Sequence, residues 1–112
     1  MRIQAEGFEQ MDLSLDWSKA KLVPVVAEEK VHFGEGETNL VKIRPIDIPA
    51  KGVPITSFYG VNGMGHVSCI GSLEYKSPDE DRVADVAMFQ SRIKASVMKG
   101  DLLALTLVVP SK

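Results

Sequence analysis

The sequence predicts a mainly β fold, a small barrel or sandwich of seven to nine short strands that forms one domain over residues 1–112. Apolar side chains recur at alternate positions in several short stretches, the pattern of half-buried strands. Glycine, proline and asparagine separate these stretches every eight to twelve residues or so, which is typical of small all-β domains. With 45% hydrophobic and 25% charged residues, the composition is that of an ordinary globular protein.

The alternation begins near the amino terminus, where Met11, Leu13, Leu15 and Trp17 are separated by polar residues. It predicts a half-buried strand that ends with Trp17 in the core. Further strands are expected at residues 22–27, 30–33, 40–48, 53–59, 67–75, 93–97 and 102–109.

Two of these strands can be placed from their residue types. Pro24 lacks an amide donor, so the strand that contains it belongs at a sheet edge or a bulge. The stretch 102–109 is apolar on both faces, so we expect it in the centre of a sheet. Gly71 marks a possible bulge in the strand at 67–75.

One helix start stands out at Ser77-Pro-Asp-Glu, which has the form of a capping box with proline at the first helical position. Together with Val83, Val86 and Ala87, it predicts a short helix from Pro78 to about Phe89. The alternative is a loop followed by a strand over residues 86–89.

Composition excludes several classes of protein. A net charge of −2 with scattered lysines and arginines argues against nucleic-acid binding, which needs a basic face. A lone cysteine forms no intrachain disulfide and fits a reducing, cytoplasmic location. The amino terminus has no signal-peptide pattern, and the apolar run at 102–109 is too short to span a membrane. We therefore expect no nucleic-acid or membrane partner.

Residues 57–71 are the first place to look for a site, because they hold four glycines, His66 and the only cysteine, Cys69. In a regular strand, the His-x-x-Cys spacing places the two side chains on opposite faces. Zinc needs four ligands, or three and a water, and the only other histidine is His32. We predict no metal and no cofactor; the favoured interpretation is a hydrogen-bonded histidine and a buried free cysteine.

The glycine spacing around Tyr59 does not match a dinucleotide-binding loop. A bulged or wide turn is the favoured interpretation, and a backbone nest for an anion is the alternative. Arg44 carries a guanidinium that binds carboxylate or phosphate if it lies beside this loop. The candidate ligand-binding residues are Arg44, Tyr59, His66, Cys69 and Arg82.

Two resemblances follow from short motifs. Residues 97–110 resemble the closing strands of biotinyl-carrier barrels, but Gly100 after Met98-Lys99 departs from the modifiable-lysine turn, so a carrier function is rejected. The segments Arg44-Pro-Ile-Asp-Ile, Tyr59-Gly, Gly65-His-Val and Lys99-Gly-Asp-Leu-Leu resemble the archaeal family of the domain of unknown function twenty-two. That resemblance implies an archaeal cytosolic protein of unassigned function, and it assigns no catalytic residues.

Two functions fit these observations. The leading hypothesis is a soluble β module that binds a ligand or a protein and forms a homo-oligomer, because apolar strands at an edge pair across subunits. The alternative is an enzyme, or an accessory subunit of one, that acts on a small anionic metabolite at a site around Tyr59 and His66. Whether the protein is an enzyme is left open.

Overall fold

The computed structural model describes residues 10–56 and 63–112. Its strands are β1 (Lys21–Val26), β2 (Val31–Phe33), β3 (Thr38–Ile48), β4 (Val53–Thr56), β5 (Gly65–Gly71), β6 (Arg82–Ser91), β7 (Ala95–Val97) and β8 (Leu102–Val109). The helical content of the described residues is one short 3-10 turn, Trp17–Lys19. The predicted mainly β fold is confirmed.

The strands form three antiparallel sheets, in the orders β1-β8-β4, β3-β6-β5 and β2-β7. They make a sandwich-like arrangement and do not close into a barrel. A bridge between Ala27 and Ile43 connects the first two sheets just beyond β1. As predicted, β8 is central in its sheet, and β1, which contains Pro24, lies at an edge.

The inner faces of the sheets share one apolar core. Phe89 on β6 and Leu103 on β8 are among its largest fully buried side chains. The Phe89 ring meets that of Phe33 edge to face, with centroids 5.4 Å apart. This is a favourable aromatic geometry, and it joins the small sheet β2-β7 to the core.

The predicted helix from Pro78 to Phe89 is wrong, although its start signal acts locally. Glu80 Oε2 accepts the Ser77 amide at 3.0 Å, and Ser77 Oγ accepts the Asp79 amide at 3.3 Å. These capping-box bonds close a turn, and the chain then enters β6, which pairs with β3 on one side and β5 on the other. The loop-then-strand alternative is confirmed, because two strand partners outweigh one local cap.

The predicted strand ending at Trp17 is also wrong. Leu15 makes one isolated bridge with Ser111, and Trp17 lies in the 3-10 turn with 59% of its surface exposed. Asp16 caps this turn by accepting the Ser18 amide at 3.1 Å. The cap breaks the alternation, so Trp17 does not reach the core.

The turn between β3 and β4 brings the chain close to β8. Lys51 takes the left-handed conformation, with φ of 61°. Gly52 is needed for space, since a Cβ there would lie 2.9 Å from the carbonyl oxygen of Val109 and 3.0 Å from that of Pro49. Among the described residues, no helix has the length and apolar character needed to cross a membrane.

Candidate functional site

The described part of the predicted site lies on β5, which is held very close to β6. A Cβ at Gly65 would stand 2.0 Å from the carbonyl oxygen of Gln90, so only glycine fits there. Next to it, the Arg92 amide donates to the Met64 carbonyl at 2.6 Å. This close approach fixes where the residues after Gly65 face their partners on β6.

Ser68 is an extra residue in β5. His66 pairs with Gln90 and Val67 with Phe89, but Cys69 then pairs with Met88, so Ser68 has no partner of its own in the register. One additional residue on one strand is a β-bulge. The Ser68 hydroxyl donates to the Met88 carbonyl at 3.3 Å and so bonds the bulge to β6.

The bulge places His66 and Cys69 on the same face of the sheet. Their partners, Gln90 and Met88, are two residues apart on β6 and therefore point the same way. Val67 and Phe89, which lie between them, are buried in the core, so the shared face is the outer one. The expectation of opposite faces is wrong because it assumed a regular strand.

The environments of the two side chains also differ from expectation. Cys69 is an exposed free cysteine, so the favoured interpretation of a buried thiol is wrong. His66 is half-buried. With Ser68 and three residues of β4, Cys69 lines a shallow cleft of about 300 Å³ between β4 and β5.

Arg82 belongs to a different part of the molecule, a cavity of about 450 Å³ at the far end of β5 and β6. Its Nη2 donates to the carbonyls of Gly52 and Pro49, which holds the side chain against the β3–β4 turn. Its Nε is buried without a hydrogen-bond partner among the described residues. The cavity combines apolar side chains with charged ones; among them are Ile48, Pro54, Ile70, Glu74, Lys76 and Asp85.

Arg44 and Arg82 are both distant from His66. Arg44 is exposed in an irregular stretch of β3, between Lys42 and Ile46, and β6 separates it from β5. That stretch lies at the level of Asp85, five residues from the partner of His66, or about 16 Å along the strand. Arg82 is eight residues from that partner, or about 26 Å along the strand.

Of the five predicted site residues, the structure therefore brings together His66 and Cys69. Tyr59 lies outside the described residues. Sequence reasoning missed Met88, which directly faces Cys69, and Gln90, which faces His66. Recognising residues 82–91 as a strand would have placed both beside β5. Within residues 10–56 and 63–112, no three His, Cys, Asp or Glu side chains are grouped to hold a metal ion.

Comparison with known proteins gives a family but no activity. The family model described as "Domain of unknown function DUF22" matches residues 1–94. The uncharacterised protein MJ0614 of the archaeon Methanocaldococcus jannaschii is 34% identical over 95 residues, which cover 85% of this chain and 73% of that protein. No solved structure matches.

Proposed function

The chain belongs to the family of the domain of unknown function DUF22, and we propose that it is a homo-oligomeric β module that binds a small anionic ligand. The observation that supports the oligomer is the exposed aliphatic surface on the outer face of the sheet β1-β8-β4. The proposed location is the cytoplasm, where the exposed Cys69 thiol stays reduced, and we propose neither nucleic acid nor a membrane as a partner.

Aliphatic side chains cross all three strands of this sheet. Leu22, Leu107 and Ile55 form one row in register, and Pro24 and Leu105 pair in the next. They alternate with Val23, Thr106 and their neighbours, which point into the core. We call Leu22, Pro24, Ile55, Leu105 and Leu107 the aliphatic face. Leu22 is 62% exposed and Ile55 is 43% exposed, so covering them would remove substantial apolar surface from water.

A second copy of the chain is the partner that this face fits. Its rows carry no charged side chain, so they offer nothing to pair with a charged partner. A two-fold axis packs such a face against itself, apolar surface on apolar surface. The turn that contains Trp17 lies beside the end of β8, because the Asp16 amide donates to the Pro110 carbonyl at 2.8 Å. The exposed Trp17 side chain is of the aromatic kind that often anchors interfaces.

Light scattering after size exclusion tests the oligomer. The natural chain elutes as a dimer or higher oligomer, and the double variant Leu22→Lys/Ile55→Lys elutes as a monomer. The matched control is Leu40→Lys/Val83→Lys, at two exposed aliphatic residues on the other large sheet, which keeps the oligomer. A monodisperse monomer for the natural chain refutes the proposal, and so does equal dissociation of the two double variants.

The Arg82 cavity supports the ligand part of the proposal. Arg82 and Lys76 line this cavity together with apolar side chains, and a guanidinium beside an amine can bind a carboxylate or phosphate. Glu74 and Asp85 line it too, so the ligand we propose carries a hydroxyl or amine as well as its anionic group. Arg82 also supports the β3–β4 turn, so Lys76→Gln, at an exposed residue, is the cleaner variant. We expect succinate or inorganic phosphate to raise the melting temperature of the natural chain and to do so less for Lys76→Gln. Equal shifts, or no shift, contradict this site.

The second candidate function is an enzyme or accessory subunit that acts on a small anionic metabolite around Tyr59 and His66. The half-burial of His66 beside Gln90 favours a role for the imidazole, but Arg44 is too distant to bind substrate with it. Turnover of metabolite mixtures, followed by mass spectrometry, tests this function. Turnover that His66→Ala abolishes establishes it, and turnover unchanged in that variant excludes the site.

A further inference from the structure

We propose that His66, Cys69 and Met88 form a binding site for a soft monovalent metal ion, Cu(I), on the outer face of the sheet β3-β6-β5. The proposal goes beyond the oligomer and the anion site and depends on neither. It rests on the Ser68 bulge, which turns a His-x-x-Cys pair that a regular strand would split into two side chains on one face.

The register places the three side chains within reach of one ion. Cys69 and Met88 are directly opposed, and opposed residues of an antiparallel pair have Cβ atoms about 4.5–5.5 Å apart. Two sulfur ligands at about 2.3 Å from a metal are separated by no more than about 4.6 Å. From opposed Cβ atoms, the short Cys69 side chain and the flexible Met88 side chain can bring their sulfur atoms to that separation. His66 is one paired level further along β5 on the same face, and its ring is long enough to turn toward them.

The donor types select the ion. A thiolate and a thioether are soft ligands that favour Cu(I), and imidazole also binds copper. The thiol proton leaves to solvent, and the thiolate then neutralises the single charge of the ion. The neighbours on this face at the same two levels are Thr38, Leu40 and Gln90, none of which is a carboxylate. Hard cations such as Mg²⁺ and Ca²⁺, which take oxygen ligands, are therefore not favoured.

The thioether of Met88 distinguishes this site from a zinc site. Zinc takes nitrogen, thiolate and carboxylate ligands, and within residues 10–56 and 63–112 no three residues with such side chains are grouped. A thioether ligand completes a three-coordinate site for Cu(I). Met88 is 39% exposed and Cys69 is exposed, so an ion reaches both from solvent.

An anaerobic titration with Cu(I), in competition with the chromophoric chelator bicinchoninate, tests the site on the reduced full chain. We expect the natural chain to retain one ion and Cys69→Ser to retain none. His66→Asn and Met88→Leu each weaken binding tenfold or more. The controls are His32→Asn and Met98→Leu, exposed residues of the same types elsewhere, which bind as the natural chain does.

Two results overturn the proposal. The natural chain retains no ion against the chelator, or His66→Asn and Met88→Leu bind like their controls, which means that copper is held by an exposed thiol alone. X-ray absorption of the loaded protein gives a second readout: two sulfur ligands and one nitrogen support the site, and a single sulfur ligand contradicts it. Circular dichroism melts confirm that each variant is folded.

Discussion

The outer faces of the two large sheets are built on the same antiparallel plan and carry opposite chemistry. On β1-β8-β4, the side chains of the aliphatic face are all hydrocarbon. On β3-β6-β5, the corresponding surface, which we call the mixed face, holds hydroxyl, amide, amine, imidazole, thiol and thioether groups beside leucine and valine. Its residues are Thr38, Leu40, Lys42, His66, Cys69, Val86, Met88 and Gln90.

The difference lies mainly in the residue types, and at Cys69 it also depends on the register. From Lys21 to Val25, β1 pairs with β8 without a shift, so a regular alternation makes one uniform row after another. On the other sheet, β5 shifts at Ser68 and β3 shifts between Lys42 and Ile46. A shift in the register moves a side chain to the face opposite the one that regular alternation would give it.

The largest loss of stability is expected from substitutions on the inner faces, where both large sheets contribute to the same apolar core. Phe89→Ala and Leu103→Ala remove fully buried side chains, and they are expected to lower the free energy of unfolding by about 3–5 and about 2–5 kcal/mol, respectively. Met88→Ala, next to Phe89 on the mixed face, is the control and costs under about 1 kcal/mol. Urea denaturation measures all three, and an equal loss for Met88→Ala and Phe89→Ala would show that the register of β6 is wrong.

A somewhat smaller loss of stability is expected from a substitution where β5 lies closest to β6. Gly65→Ala places a Cβ 2.0 Å from a backbone oxygen, so β5 has to move away from β6, at a cost of about 3 kcal/mol. Gly71→Ala, at the other end of the same strand, meets nothing within 4 Å and is expected to be nearly neutral. Thermal melts compare the pair, and similar melting temperatures would contradict the close approach that positions His66.

These contrasts also separate what the sequence could predict from what it could not. Alternation, turn residues and the doubly apolar strand depend on local chemistry, so they predicted the β class, the central β8 and the edge position of Pro24. The helix prediction at Pro78 failed because a real capping box is followed by a strand with two partners.

The site prediction was also limited because it depends on strand pairing, which residues close in sequence do not specify. His66 and Cys69 were chosen for their residue types, but their common face depends on one unpaired residue, Ser68, and on pairing with β6. Met88 was missed because its neighbours were assigned to a helix. Nothing in residues 57–71 alone specifies which strand lies beside β5, so that segment by itself could not identify the cluster.

Removing the bulge is expected to change the stability still less. Deleting Ser68 leaves Val67 opposite Phe89 and Cys69 opposite Met88, now in regular pairing. The loss of one side-chain bond to the Met88 carbonyl predicts a change within about 1 kcal/mol. Because His66 and Cys69 still share a face, Cu(I) binding persists. A deletion variant that unfolds, measured by urea denaturation, would show that the bulge is required for the fold.

The smallest predicted change concerns the turn that contains Trp17, next to the end of β8. Hydrogen bonds from Ser18 lower the pKa of the Asp16 carboxyl below its usual value of 3.8. Because the folded pKa is depressed, this stabilisation of the turn is fully present above pH 3.8 and is lost as the pH falls through the folded value. Trp17 is the only tryptophan, so its fluorescence reports the turn directly. We expect an acid transition in its emission below pH 3.8 that Asp16→Asn removes; a transition that persists in this variant would assign the change to unfolding of the sheets, not to the cap.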